Sequence, residues 1–134
     1  MEKVPIAYVE DDPLMTMLVA YNLDSLGYQT HCVDSGWHAV QAIETIMPKV
    51  AIIDWTLPQM SGIQVLRDLR RHPTLSDLPI IIVTARMEPN DSSFALACGA
   101  NVFLRKPFSM AQLKATVEQL ATGSEQNLAK TVQA

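Results

Sequence analysis

The sequence predicts one α/β domain, a five-stranded parallel sheet flanked by five helices. Three observations carry that prediction. Short apolar runs recur five times along the 134 residues, each followed by a segment with helical spacing. The runs are continuous rather than alternating, so both faces of each strand are buried, as in a parallel sheet between helices. The length suits one ordinary domain, which buries about two thirds of its unfolded surface without a disulfide or metal staple.

The elements follow in order. The first strand is Pro5-Ile6-Ala7-Tyr8-Val9, and it ends in three acids, Glu10-Asp11-Asp12. Asp12-Pro13 starts a helix, with a carboxylate at the N-cap and proline at N1. Leu14, Met17, Leu18, Tyr21 and Leu26 recur there at helical intervals, and Gly27 suits a left-handed C′ position. Residues 28–33 read as the second strand. Ser35 can cap the second helix, with Trp37, Val40, Ile43 and Met47 on one stripe until Pro48 stops it.

The third strand, Val50-Ala51-Ile52-Ile53, ends at Asp54, and a loop containing Pro58 leads to a helix with Ile63, Leu66 and Leu69. Ile80-Ile81-Ile82-Val83 is the fourth strand, closed by Thr84-Ala85. Residues 91–98 form a short helix ended by Gly99, and Val102-Phe103-Leu104 is the fifth strand. Lys106-Pro107 follows, then a last helix over 109–120 with Leu113, Val117 and Leu120 apolar. Residues 1–122 are read as the domain, and 123–134 as a flexible tail or the start of a linker.

Composition narrows the function. Apolar residues make up 49 % of the chain, too many for a disordered protein, and the formal charge is −4. That balance argues against a general nucleic-acid binder, which would carry a basic stripe. Arg67, Arg70 and Arg71 make one basic helix face, more simply read as solvated. Cys32 and Cys98 stand far apart with no metal-ligand spacing, so both read as small buried apolar residues. No apolar run reaches the 18 or so residues of a membrane span, and none follows Met1 as in a signal peptide. A cytoplasmic, reducing location is expected.

The chemistry lies at the strand C-termini, where ligand crevices of open α/β sheets form. Glu10, Asp11 and Asp12 stand there with Asp54, Thr84 and Lys106. Any one of these alone is more simply a helix cap or a loop residue, and Asp12 is at least partly a cap. Together, at successive strand ends, they point to a shared crevice. Clustered carboxylates repel each other, by about 4 kcal/mol per pair 4 Å apart at an effective dielectric near 20. A cation relieves that, and oxygen-only ligands select a hard one, Mg²⁺ above all. Lys106 adds a point charge and Thr84 a hydroxyl donor, which completes a receptor for a phosphoryl group.

With these residues the sequence resembles the receiver domain of two-component response regulators. The matching motifs are Glu10-Asp11-Asp12, Asp54 within Ile53-Asp54-Trp55-Thr56-Leu57-Pro58, Met60-Ser61-Gly62, Thr84-Ala85, Gly99-Ala100 and Lys106-Pro107-Phe108, across about residues 4–121. The resemblance implies a doubly wound, flavodoxin-like sheet of order 2-1-3-4-5 and a regulatory domain rather than a classical enzyme. Asp54 would accept a phosphoryl group from a sensor histidine kinase or histidine phosphotransfer protein. Asp11, Asp54 and the Thr56 backbone carbonyl would bind Mg²⁺, with Glu10 acting directly or through water. Lys106 would pair with phosphoryl oxygens, and Thr84 would bond one of them and let Phe103 turn inward. Ala85 keeps the pocket open, and a cis Lys106-Pro107 bond is expected. The readout would be the fourth helix, fifth strand and fifth helix, acting on a downstream protein or fused output domain, without direct contact to nucleic acid or membrane.

Three departures from the family pattern matter. Phe103 stands where tyrosine is frequent, so burial of the ring must switch without a hydroxyl. Thr56 and Arg86, two residues past Asp54 and Thr84, are neither acids nor amides that would align an attacking water, so a long-lived phosphoaspartate is expected. The charge ladder of winged-helix regulator dimers is missing, with Asn101-Val102, Thr116 and Gly123 at its positions, so a monomer or weak dimer is expected. Among other readings, a haloacid-dehalogenase-type phosphatase would need an acid at Thr56. A histidine phosphotransfer module, through His31, His38 or His72, would be all-helical. A phosphate-independent pseudo-receiver would normally lose an acid or the lysine, and all are present.

Overall fold

The computed structural model describes residues 2–123 and 131–133. Six strands and five helices follow one another: β1 (Val4–Val9), α1 (Pro13–Asp24), β2 (Tyr28–Val33), α2 (Ala39–Ile46), β3 (Val50–Asp54), α3 (Gly62–Arg71), β4 (Ile80–Thr84), α4 (Asp91–Ala97), β5 (Val102–Arg105), α5 (Met110–Ala121) and β6 (Thr131–Gln133). The strands form one sheet of order 2-1-3-4-5-6, parallel throughout. The five-stranded order implied by the resemblance is therefore present. The short β6 adds to it beside β5, within the stretch read as a tail, of which 124–130 and 134 lie outside the described residues.

Alternation along the buried strands builds two cores. Ile6, Tyr8, Val50, Ile52, Ile81, Val83, Val102 and Leu104 face α1 and α5, meeting Val19, Leu23, Leu113 and Val117. Ala7, Val9, Ala51, Ile53, Ile80, Ile82 and Phe103 face the other way, onto Ile43 of α2, Leu66 and Leu69 of α3 and Ala95 of α4. Helices on both faces of a parallel sheet make the domain doubly wound.

Helix ends follow the local chemistry. Asp12 accepts from the Leu14 N–H at 3.0 Å, with Pro13 at the first helical position. Ser61 and Ser109 cap α3 and α5 through the N–H groups of Gln64 and Gln112, at 3.3 and 2.9 Å. Gly27 and Gly99 take φ of 98° and 116° after α1 and α4, where a side chain would be strained.

Three expectations are corrected. On α1 the stripe of Leu14, Met17, Leu18 and Tyr21 faces solvent, Tyr21 being 76 % exposed, while Val19 and Leu23 are buried. That helix is apolar all round, so its periodicity does not say which face the sheet takes. The second helix starts at Ala39, because Ser35 Oγ bonds His38 Nδ1 at 2.9 Å instead of capping. Trp37 is left exposed, and Met47 takes a left-handed C-cap position, φ 52°, with its side chain in solvent. Finally, Cys32 is exposed on the edge strand β2 and Cys98 is only half-buried. Among the described residues, no helix is long and apolar enough to cross a membrane.

Candidate functional site

The parallel register aligns the strand ends. Val9 pairs with Ile53, Asp54 with Val83, and Thr84 with Arg105, so residues just beyond β1, β3, β4 and β5 meet at one edge. Glu10 follows β1 and is 2 % exposed, with its main-chain N–H bonded to the Val33 carbonyl at 2.9 Å. Its Oε2 accepts from the N–H groups of Asp11 and Asp12 at 3.1 and 3.2 Å. Its Oε1 accepts from Tyr8 Oη at 3.2 Å and from Lys106 Nζ at 2.8 Å. A buried carboxylate is tolerable only when so satisfied.

Asp54 ends β3 and is 5 % exposed. Its Oδ1 accepts from the Thr56 N–H at 3.1 Å and its Oδ2 from Lys106 Nζ at 2.8 Å. The loop after it folds back tightly, with Gly62 N–H on the Trp55 carbonyl at 2.8 Å. A Cβ at Gly62 would lie 2.0 Å from the Asp54 carbonyl oxygen, so only glycine fits. Gly36 plays the same part beside it, since its Cβ would meet the Met60 carbonyl oxygen at 2.3 Å.

Lys106 pairs with both acids, and the Lys106-Pro107 bond is cis as expected. Burial alone would lower its pKa, but the hydrogen bonds it donates to Asp54 and Glu10, with their negative charge, outweigh that and raise it above the ordinary lysine value. Burial first, and Glu10 second, push the Tyr8 phenol up, so it remains a donor to Glu10. Thr84 is fully buried, and its Oγ1 accepts from the Arg86 N–H at 3.0 Å. Phe103 is also fully buried, its ring edge-on to Trp55 at 6.4 Å between centroids.

Glu10, Asp11 and Asp54 bring one carboxylate oxygen each within 4.8 Å of one another. Lys106 balances part of this charge, and an oxygen-only donor set of this kind fits a hard divalent cation. An open cleft of about 570 Å³ lies beside Glu10, Asp11 and Asp34. Of the residues read from the sequence, Glu10, Asp11, Asp54 and Lys106 come together, and Thr84 sits on the neighbouring strand. Asp12 is exposed and serves α1 as its cap. Thr56 contributes its N–H to Asp54. The sequence reading missed Tyr8, whose only signal was a phenol within an apolar strand, and the spatial roles of Gly36 and Gly62.

The basic and dimer positions are engaged within the chain. Arg70 donates to the Gly99 carbonyl at 2.8 and 3.0 Å and to Asn101 Oδ1 at 2.9 Å. The same Asn101 oxygen accepts the Ile80 N–H at 2.9 Å. Arg67 lies over the Phe94 ring, Arg71 is 3.7 Å from Asp68, and Thr116 is buried with its hydroxyl on the Gln112 carbonyl.

Comparison with known proteins agrees with this geometry. The sequence profile of the response regulator receiver domain matches residues 6–118. The phosphate regulon transcriptional regulatory protein PhoB of Rhizobium meliloti is 35 % identical over 127 residues, which are 95 % of this chain and 56 % of that protein. The chain thus spans about half the length of the curated relatives it matches. Among solved structures, the signal receiver domain of a Syntrophus aciditrophicus histidine kinase is 33 % identical with a TM-score of 0.83, covering 90 % of this chain and 91 % of that one. The receiver domain of a Pseudomonas aeruginosa sensor histidine kinase, solved with magnesium coordinated in its active-site cleft, is 30 % identical with a TM-score of 0.82, covering 90 % and 99 %. The profile match across most of the chain, on a doubly wound sheet with acids and a lysine at its strand ends, shows that the protein belongs to the response regulator receiver domain family.

Proposed function

We propose that the domain is a phosphorylation-dependent switch with Asp54 as the phosphoacceptor. The observation that carries this is the short bond from Lys106 Nζ to Asp54 Oδ2 beside the Glu10–Asp11–Asp54 oxygen cluster. A carboxylate oxygen of Asp54 attacks the phosphorus of a phosphohistidine on a sensor histidine kinase or phosphotransfer protein. The P–N bond breaks, and its electron pair returns to the imidazole. Asp11, Asp54 and the Thr56 backbone carbonyl would hold Mg²⁺, with Glu10 acting directly or through water. The ion supplies neutralisation of the phosphoryl and carboxylate oxygens as they approach.

Lys106 stays protonated and turns from Asp54 Oδ2 to a phosphoryl oxygen. Thr84 donates its hydroxyl to another. Both gain partners only in the acylated form, so the equilibrium moves toward whatever arrangement brings them there. The change reaches α4, β5 and α5, and through them a downstream protein or a fused output domain.

The surroundings suit a helical donor. The exposed Leu14, Met17, Leu18 and Tyr21 face of α1 continues into an apolar groove of about 420 Å³ formed with Pro107, Phe108 and Met110. The internal use of Asn101, Thr116 and Arg70 favours a monomer or weak dimer and a domain that leaves nucleic acid to others. Cytoplasmic placement follows from such partners. Neither Thr56 nor Arg86 offers an acid or amide for an attacking water, so the phosphoaspartate outlasts a timescale of seconds.

Incubation with Mg²⁺ and acetyl phosphate tests the reading. Acid-stable mass gain of one phosphoryl group, abolished by Asp54→Asn, is expected. No gain in the wild type would overturn it, and a half-life of seconds would overturn the claim of persistence.

A further inference from the structure

Asp91 is a buried acid that the phosphoacceptor chemistry does not use. It opens α4 and is 5 % exposed, although a carboxylate that merely favoured a helix start would stand in solvent. Both its oxygens are taken by Arg86, Oδ2 from Nε at 3.0 Å and Oδ1 from Nη2 at 3.1 Å. The guanidinium so held lies 4.7 Å from the centroid of the Trp55 ring, the residue next to Asp54. The backbone of Arg86 is held as well. Its N–H donates to Thr84 Oγ1 at 3.0 Å, and its carbonyl accepts from Arg105, which also donates to the Glu88 carbonyl at 3.0 Å.

We propose that Asp91 is a positioning residue that restrains phosphoryl acceptance, holding Arg86 and so keeping the Thr84 hydroxyl on the Arg86 N–H. The inference rests on Thr84 being the donor to the phosphoryl group. Its hydroxyl oxygen accepts from the Arg86 N–H, and Arg86 is tied down at side chain, N–H and carbonyl. Thr84 is the last residue of β4, and Asp91 anchors the loop that follows it to α4. The ion pair is two-pronged, one partner is desolvated, and the guanidinium is stacked on an indole, which makes this anchor geometrically specific. Freeing Arg86 therefore lowers the cost of turning Thr84 toward Asp54.

The test uses the full chain carrying Trp37→Phe, which leaves Trp55 as the sole tryptophan. Beryllofluoride, a phosphoryl mimic, is titrated at saturating Mg²⁺ while Trp55 emission is followed. Asp91→Asn removes the charge at constant size and is expected to tighten beryllofluoride about two- to fivefold, the range of a partly exposed ion pair. Mg²⁺ affinity without beryllofluoride stays unchanged, and the Arg86 and Met87 amides exchange faster. Arg86→Gln, the fallback should Asp91→Asn fail to fold, shifts the same way, and the double variant adds little to either single one. Unchanged beryllofluoride affinity in a folded variant overturns the proposal, because Asp91 is then only structural. Weaker binding overturns it too, since the pair then belongs to the acylated arrangement. A wild type that binds no beryllofluoride removes the phosphoacceptor reading and this inference together, and so is distinct from a variant that matches the wild type.

Discussion

Lys106 Nζ lies 2.8 Å from Asp54 Oδ2, so one oxygen of this buried carboxylate is already engaged by a cation. The same ammonium is 2.8 Å from Glu10, and the two bonds make it a bridge between β1 and β3 from beyond β5. A bridge of this kind would compete with a metal ion for the carboxylates and, under the proposed function, with the phosphoryl group for the ammonium. Lys106→Met is therefore expected to lower the Mg²⁺ dissociation constant while weakening beryllofluoride at least about tenfold. That loss corresponds to one charge-assisted hydrogen bond of about 1.5–3 kcal/mol. Paired titrations of the two ligands check both signs.

Asp91 carries a pH signature. The hydrogen bonds from Arg86 hold its carboxyl below the ordinary 3.8. A depressed folded-state pKa stabilises the native chain above the unfolded value, and that stabilisation is lost as pH falls through the folded value. Thermal midpoints of wild type and Asp91→Asn should differ at pH 7 and converge as the pH drops below 3.8. Lys106 predicts the opposite limb. Its raised pKa stabilises below 10.5, and the contribution is lost as pH rises beyond that, a loss that Lys106→Met should not show.

Gly62 tests how closely the β3–α3 loop must return to the end of β3. A methyl there would sit 2.0 Å from the Asp54 carbonyl oxygen and 2.8 Å from its carbon, backbone atoms that cannot swing aside. Gly62→Ala is expected to cost about 1–3 kcal/mol, as overpacking of a core does. It should also shift Asp54 enough to weaken beryllofluoride. Denaturant unfolding and the same titration give the two readouts.

Asn101 accepts two hydrogen bonds with one side-chain oxygen. Its Oδ1 takes the Ile80 N–H at the start of β4 and the Arg70 guanidinium at once, both at 2.9 Å. Asn101→Ala leaves the Ile80 N–H without that partner and should destabilise by about 1–3 kcal/mol. Asn101→Asp keeps the acceptor and should recover most of the loss. Urea midpoints of the three proteins decide it.

The outer face of α1 separates stability from partner recognition. Met17 and Tyr21 are among its most exposed side chains, so Met17→Ser with Tyr21→Ser should change stability by no more than about 0.5 kcal/mol each. Phosphorylation by acetyl phosphate should be unaffected. Transfer from a phosphohistidine protein should slow, because a small donor needs no docking surface and a protein donor does.

Much of this protein was legible in its residue order. The five strand–helix units, the Asp12 cap, the Gly27 and Gly99 turns and the acids at strand ends follow from local periodicity and backbone chemistry, which act over a few residues. What the order of residues could not decide is sidedness and approach. Leu14, Met17, Leu18 and Tyr21 form a true helical stripe, yet Val19 and Leu23 take the inner face, because α1 is apolar on both sides and only the sheet chooses between them. Cys32 has the composition of a core residue, but an edge strand leaves it in solvent.

The site divides the same way. Glu10, Asp11, Asp54 and Lys106 were readable as chemistry, since carboxylates and an ammonium at strand ends have few other uses together. The tertiary structure alone decided that Lys106 bridges Glu10 and Asp54, that Gly62 must lie against the Asp54 carbonyl, and that Asp91 holds Arg86 over Trp55. Local sequence determines which groups a strand end presents. Which of them touch depends on the register of parallel strands and the packing of loops that are distant in the chain.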